Sequence, residues 1–252
     1  MTRRSAVIIT SIIAGLALAW LLAPLVFAHL PNDRSRIADV VKLMRTHPKV
    51  AIIGNSVAMY GVRTGTHLAT SAQTIRESVM IASELAGTET IVIVVTPWQL
   101  TANISPNAQG WNAWWLYGLQ VSPESRALAG VPSFSDWRER FRSRWVVRAS
   151  FESLFARGSG QPVGRWVGHE DFRVDPEIRR LLETIAARRK VVVVLAPMSP
   201  IVRTHYSNVS LHLSNARVID ASQLLDAGDF RDDTHANDAG TRKLTKFIEE
   251  RL

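Results

Sequence analysis

Val50-Ala51-Ile52-Ile53-Gly54-Asn55-Ser56 decides how this chain is read. Val50 to Ile53 is a short apolar run rich in β-branched residues, the pattern of a strand buried on both faces. Gly54-Asn55 interrupts it and Ser56 stands at its end. Further along, similar runs return at Ile91 to Val95, closed by Thr96-Pro97, at Val191 to Leu195, closed by Ala196-Pro197, and at Ala216 to Ile219. Helical patterns fill the intervals. Asp33 to Thr46 carries Ile37, Val40, Val41 and Met44 at helical spacing, and Pro48 stops it. Ser71 to Ala86 follows, then Asp175 to Arg189 with Ile178, Leu181, Leu182 and Ile185 on one face. Asp238 to Leu252 closes the series with Leu244, Phe247 and Ile248 turned inward. Strands alternating with helices predict an α/β fold, a parallel sheet with helices on both faces. Such sheets build sites at the carboxyl ends of their strands. Ser56, Pro97 with Trp98, Pro197 and the loop ahead of the last helix are therefore expected along one edge.

That last loop reads Asp232-Asp233-Thr234-His235-Ala236-Asn237-Asp238-Ala239-Gly240. It offers a carboxylate three residues before a histidine. If the fold brings it to Ser56, the chain holds the parts of an acyl-transfer site. A serine hydroxyl is a weak nucleophile and needs a base beside it. Imidazole titrates near neutral pH and can return the proton to a leaving group. A carboxylate fixes the imidazole tautomer and stabilises its charged form. Asp232 is the preferred orienting carboxylate and Asp233 its rival. Gly-x-Ser after a strand is common, and Asp-x-x-His can serve a capped loop. The two gain meaning together, in this order, at opposite ends of a parallel α/β pattern.

The 252 residues suffice for one α/β domain with a sizeable core. There is no cysteine, which excludes disulfides, thiolate zinc sites and a cysteine nucleophile. The formal charge is +8, but the basic residues are dispersed and carry no fingerprint of a nucleic-acid-binding fold. No nucleic-acid partner is expected. His169 with Glu170 and Asp171 reads as a polar surface loop. No two histidines have a ligand spacing with a supporting carboxylate, so no metal site is expected.

Ser5 to Ala28 holds no charged residue, and Arg3 and Arg4 precede it. Roughly 20 apolar residues cross a bilayer as a helix. Basic residues ahead of the span keep the N-terminus cytoplasmic and send the rest outward. A signal peptide cleaved after Val26-Phe27-Ala28 is the competing reading, although its apolar part would be long. The expected organisation is a transmembrane anchor over 1–28, a linker with an amphipathic helix over 29–48, and a catalytic domain over 49–252. An insertion over 103–168 interrupts that domain. It holds six of the eight tryptophans: Trp111, Trp114, Trp115, Trp137, Trp145 and Trp166. Trp137, Phe141, Trp145, Phe151 and Phe155 fall near helical spacing, with Arg138, Arg140, Arg142, Arg144 and Arg148 between them. Such a helix covers a core, docks on a partner protein or lies on a membrane surface.

Gly54-Asn55-Ser56 resembles the Gly-Asp-Ser block of the SGNH/GDSL hydrolases. Asp232-x-x-His235 with Asn237 and Gly240 resembles that family's last block, and Val218 to Phe230 its run-in. The resemblance extends over roughly Lys49 to Leu252 and is closest to the membrane-anchored, extracytoplasmic branch acting on cell-envelope polysaccharides. It implies a three-layer α/β/α flavodoxin-like sandwich, with Ser56 as nucleophile, His235 as base and Asp232 as its orienter. No cofactor is implied. The family's oxyanion hole uses the serine amide, a glycine amide from the second block and an asparagine from the third. Here the second block falls at Ala69-Thr70-Ser71-Ala72-Gln73, without glycine. The third reads Thr96-Pro97-Trp98-Gln99, with Trp98 in the asparagine slot. The candidate donors are thus Ser56, Ala72, Gln99 and Asn103, and the candidate substrate-binding residues Trp98, Arg203 and His205. The implied partner is an acylated or acyl-accepting glycan. Esterase and O-acyltransferase outcomes share one mechanism. The alternative is an accessory subunit docked on an integral-membrane acyltransferase or polysaccharide exporter.

Overall fold

The structure is a computed structural model that describes residue 5 and residues 7–18, 36–70, 73–101, 121–130, 173–206 and 208–252, apart from the side chains of 36–38. Its centre is a five-stranded, wholly parallel sheet: β1 (Val50–Gly54), β2 (Thr66–His67), β3 (Thr90–Val95), β4 (Val191–Leu195) and β5 (Arg217–Asp220), in the spatial order β2-β1-β3-β4-β5. The register is continuous, Ile53 facing Ile93 and Ile93 facing Val193. This is a doubly wound order, with its switch point between β1 and β3.

Strand side chains alternate between two cores. Ala51, Ile53, Ile91, Ile93, Val193 and Leu195 enter one. Against them pack α1 (Arg36–Met44) through Val40 and Met44, α3 (Ile75–Glu84) through Val79 and Met80, and α6 (Pro176–Ala186) through Leu181 and Ile185. Ile52, Val92, Val94, Val192, Val194 and Ile219 enter the other. That side is covered by α2 (Ser56–Gly61) through Val57 and Ala58 and by α8 (Asp238–Glu249) through Leu244 and Ile248. The chain is therefore three layers deep, and the continuous apolar runs of β1, β3 and β4 reflect burial from both sides.

Three short helices complete the described elements: α4 (Pro97–Leu100), α5 (Pro123–Leu128) and α7 (Pro200–His205). Each begins with proline at its first position, where a missing N–H costs nothing. The expected helix over Ser71–Ala86 begins only at Ile75, where Thr74 and Glu77 form a reciprocal capping box. Of the expected insertion, α5 is described and sits beside α3. The Trp137–Arg148 helix and the His169–Asp171 cluster lie outside the described residues.

Residues 7–18 are helical, and Val7, Ile8, Ile12, Ile13, Leu16 and Leu18 are exposed. Among the described residues no helix is long and apolar enough to cross a membrane. Residues 19–28 of the expected anchor lie outside the described set.

Candidate active site

The site begins where β1 ends. Gly54 has φ of +151°, and a Cβ there would stand 2.6 Å from the Val94 carbonyl oxygen and 2.8 Å from the Ala58 methyl. Only glycine lets the chain turn this close to β3. Asn55 caps α2, its side-chain oxygen accepting the Val57 amide at 3.0 Å. Its side-chain nitrogen donates to the Thr96 hydroxyl at 3.3 Å, tying the ends of β1 and β3 together. Ser56 is the first residue of α2. Its amide finds no acceptor among the described residues, as expected at a helix start.

The histidine loop is a tight hairpin. Phe230 bridges Ala236, and the Arg231 amide donates to the His235 carbonyl at 2.9 Å. Its base is clamped where the Asn237 amide meets the Asp229 carbonyl at 2.8 Å. Asn237 also caps α8 through the amides of Ala239 and Gly240. Buried Asp229 accepts from Lys243 at 2.8 Å. Gly240 is required here, because a Cβ would lie 2.3 Å from the Asp229 carbonyl oxygen.

These two pieces meet. His235 Nε2 lies 2.9 Å from Ser56 Oγ, and His235 Nδ1 lies 2.9 Å from each oxygen of Asp232. An ionised carboxylate can only accept, so Nδ1 carries the ring proton and the Nε2 lone pair faces the serine hydroxyl. Asp232 also accepts the amides of Thr234 at 2.9 Å and His235 at 2.8 Å, and the Thr234 hydroxyl at 3.1 Å. Burial by itself would raise the Asp232 carboxyl. The two amides and the His235 ring outweigh it and hold the group at about 2, below its ordinary 3.8. Asp233, the rival orienter, makes no hydrogen bond to the ring. The meeting is enforced from behind: the Thr241 hydroxyl donates to the Tyr60 carbonyl at 3.1 Å, and the Thr245 hydroxyl accepts the Arg63 amide at 3.0 Å. Helix α8 thereby locks onto α2.

The remaining sequence candidates are dispersed. Gln99 is buried in the β1–β3 switch. Its oxygen accepts the Thr96 amide at 3.0 Å and hydroxyl at 2.9 Å, and its nitrogen donates to the Gln73 carbonyl at 2.7 Å. Gln73 in turn accepts the Gly54 amide at 2.7 Å and donates to the Leu68 carbonyl at 3.2 Å. This carboxamide pair stitches together the loops after β1, β2 and β3. Trp98 is half-buried between the second core and a small cluster of Met198, Val202 and Tyr206, its ring 6.4 Å from that of Tyr206. Arg203 donates to the Gln223 side chain at 2.7 Å and to the Leu225 carbonyl at 2.9 Å, buttressing the segment after β5. His205 closes α7, partly exposed. Ala72 and Asn103 lie outside the described residues.

Sequence reasoning passed over Thr234, whose hydroxyl joins the carboxylate and the ring, and Gln73, which holds the turn into Ser56. A threonine between the two motif residues was the only available signal for the first. Among the described residues, no group of three or more His, Asp or Glu side chains could hold a metal. Comparison with known proteins finds no matching family model, no matching curated protein and no matching solved structure.

Proposed function

We propose that this chain is a serine acyl-transfer enzyme of the SGNH type, tethered to a membrane and working outside the cytoplasm on a cell-envelope polysaccharide. The observation that carries the reading is the hydrogen-bonded line Ser56–His235–Asp232. In this reading His235 Nε2 takes the Ser56 proton as Oγ attacks an ester carbonyl. Asp232 stabilises the resulting imidazolium, which then protonates the departing alkoxide. The acyl-Ser56 ester is resolved when His235 deprotonates water, giving an esterase, or a sugar hydroxyl, giving an O-acyltransferase. The Ser56 amide, at the start of α2, is the donor best placed for the developing oxyanion. No cofactor enters these steps. The tether is supported by the uncharged stretch from Ser5 to Ala28 and by the exposed apolar side chains of residues 7–18. Retention of the chain in carbonate-washed membranes tests it, and release into the wash overturns it.

The decisive experiment is labelling by a fluorophosphonate probe. Wild-type chain should label, while Ser56→Ala and His235→Ala should not. A folded wild-type chain that fails to label sinks the enzymatic reading.

One observation favours the accessory-subunit reading. The Gln99 nitrogen already donates to the Gln73 carbonyl, and Trp98 fills the slot where the family has its asparagine donor. Losing one oxyanion donor slows such enzymes about 100- to 1000-fold. A Ser56→Ala chain that still supports polymer modification in cells, and co-purifies with an integral-membrane protein, would establish it.

A further inference from the structure

Tyr60 stands four residues beyond Ser56 on α2, one helical turn along the same face. Its ring meets the His235 imidazole nearly at right angles, with centroids 5.7 Å apart and an interplanar angle of 81°. Arg231 lies over Tyr60, its guanidinium carbon 4.6 Å from the ring centroid. Arg231 Nε is also 3.7 Å from Asp232 Oδ2. Arg231 thus spans the tyrosine that touches the imidazole and the carboxylate that orients it.

Polar partners hold the His235 ring at its two nitrogens, Asp232 and the Thr234 hydroxyl at Nδ1 and the Ser56 hydroxyl at Nε2, along roughly one axis. Rotation about that axis leaves the nitrogen–oxygen distances almost unchanged, so these contacts restrain the tilt only through the hydrogen-bond angles, which weaken steeply only below about 120°. A perpendicular aromatic neighbour supplies the missing restraint, since edge-to-face pairs favour one mutual orientation. We infer that Tyr60, backed by Arg231, is a positioning residue that sets the tilt of the His235 imidazole, so that its Nε2 lone pair points at the Ser56 hydroxyl. The inference rests on the serine acyl-transfer reading above. Tyr60 comes from the helix that carries Ser56 and Arg231 from the loop that carries His235. The contact therefore also registers these two elements at the point where the proton moves.

The test is the kinetics of fluorophosphonate inactivation of the full chain, resolved into the maximal rate kinact and the half-saturating concentration KI. Tyr60→Ala and the more space-filling Tyr60→Leu should lower kinact about 10- to 100-fold, the scale of a misplaced catalytic group, and leave KI nearly unchanged. Tyr60→Phe should restore kinact to nearly the wild-type value, because it keeps the ring. Arg231→Gln should cost less, about 2- to 5-fold, by releasing one face of that ring. Wild-type kinact in the Ala and Leu variants overturns the inference, as does a Phe variant as slow as the Ala variant. Failure of the parent reading looks different: the wild-type chain itself stays unlabelled, or Ser56→Ala labels equally well.

Discussion

One carboxylate oxygen of Asp232 accepts from both ends of His235, the backbone amide at 2.8 Å and the ring Nδ1 at 2.9 Å. The residue therefore holds the loop and the tautomer at once. Replacing Asp232 by Asn puts a donor where the ring needs an acceptor. Turnover or probe labelling should fall about 1000- to 10,000-fold. Asp233→Asn should stay close to wild type, because Asp233 makes no hydrogen bond to the ring. Equal losses in both variants would remove Asp232 from its assigned role.

The same carboxylate predicts a pH dependence of stability. Its folded value of about 2 lies below the ordinary 3.8, so the folded state binds the proton less readily than the unfolded chain. The group's contribution is complete above about pH 4 and is lost as pH falls from there to about 2. The side chain is 43% exposed, and solvent screening leaves only part of the shift as stability. Urea melts between pH 5 and 2 should show a shallower acid loss in Asp232→Asn than in wild type. Parallel curves would contradict the assignment.

Gly54→Ala should be among the most damaging one-carbon changes in the chain. The added carbon would meet a carbonyl of β3, which belongs to the sheet and cannot swing aside, at a φ that side chains rarely adopt. A loss of about 2–5 kcal/mol in chemical denaturation is expected from the strain and overpacking together. Probe labelling of the folded fraction should fall too, because Ser56 is only two residues away.

Gln99→Ala removes partners from the Thr96 amide and hydroxyl and from the Gln73 carbonyl, all in a buried site. The expected cost is about 1–3 kcal/mol for each group left without a partner. Thermal melts would reveal it. A variant as stable as wild type would show that this network is dispensable, and would reopen Gln99 as a mobile donor to substrate.

The strands were the most readable part of the chain. Val191–Leu195 is found as expected, Val50–Gly54 and Thr90–Val95 are each a residue longer at one end, and Arg217–Asp220 is shifted by one residue from the expected Ala216–Ile219. Burial on both faces writes an uninterrupted apolar signal. Strand β2 was not readable: Thr66 and His67 lie at a sheet edge, and their pairing with Ala51 and Ile52 leaves no hydrophobic trace. The short helix α4 was read only as a strand ending and α7 was not read at all, although Thr96-Pro97 and Ser199-Pro200 are both cap-plus-proline starts. The meeting of Ser56, Asp232 and His235 was legible because the acyl-transfer chemistry expected of them restricts residue type and local spacing. Tyr60 and Gln73 were not, because their roles come from docking between distant segments. Gln99 was legible as an amide near the site, but nothing local told that its nitrogen was already engaged with Gln73.

The locking of α8 onto α2 has a consequence for timing. The serine emerges early in synthesis and its imidazole 179 residues later. On the serine acyl-transfer reading, Ser56 stays an ordinary alcohol until the segment through Thr241 and Thr245 has left the ribosome and docked. A nascent or prematurely terminated chain would then be chemically silent, and reactivity toward a serine probe would serve as a certificate that translation and folding had both finished.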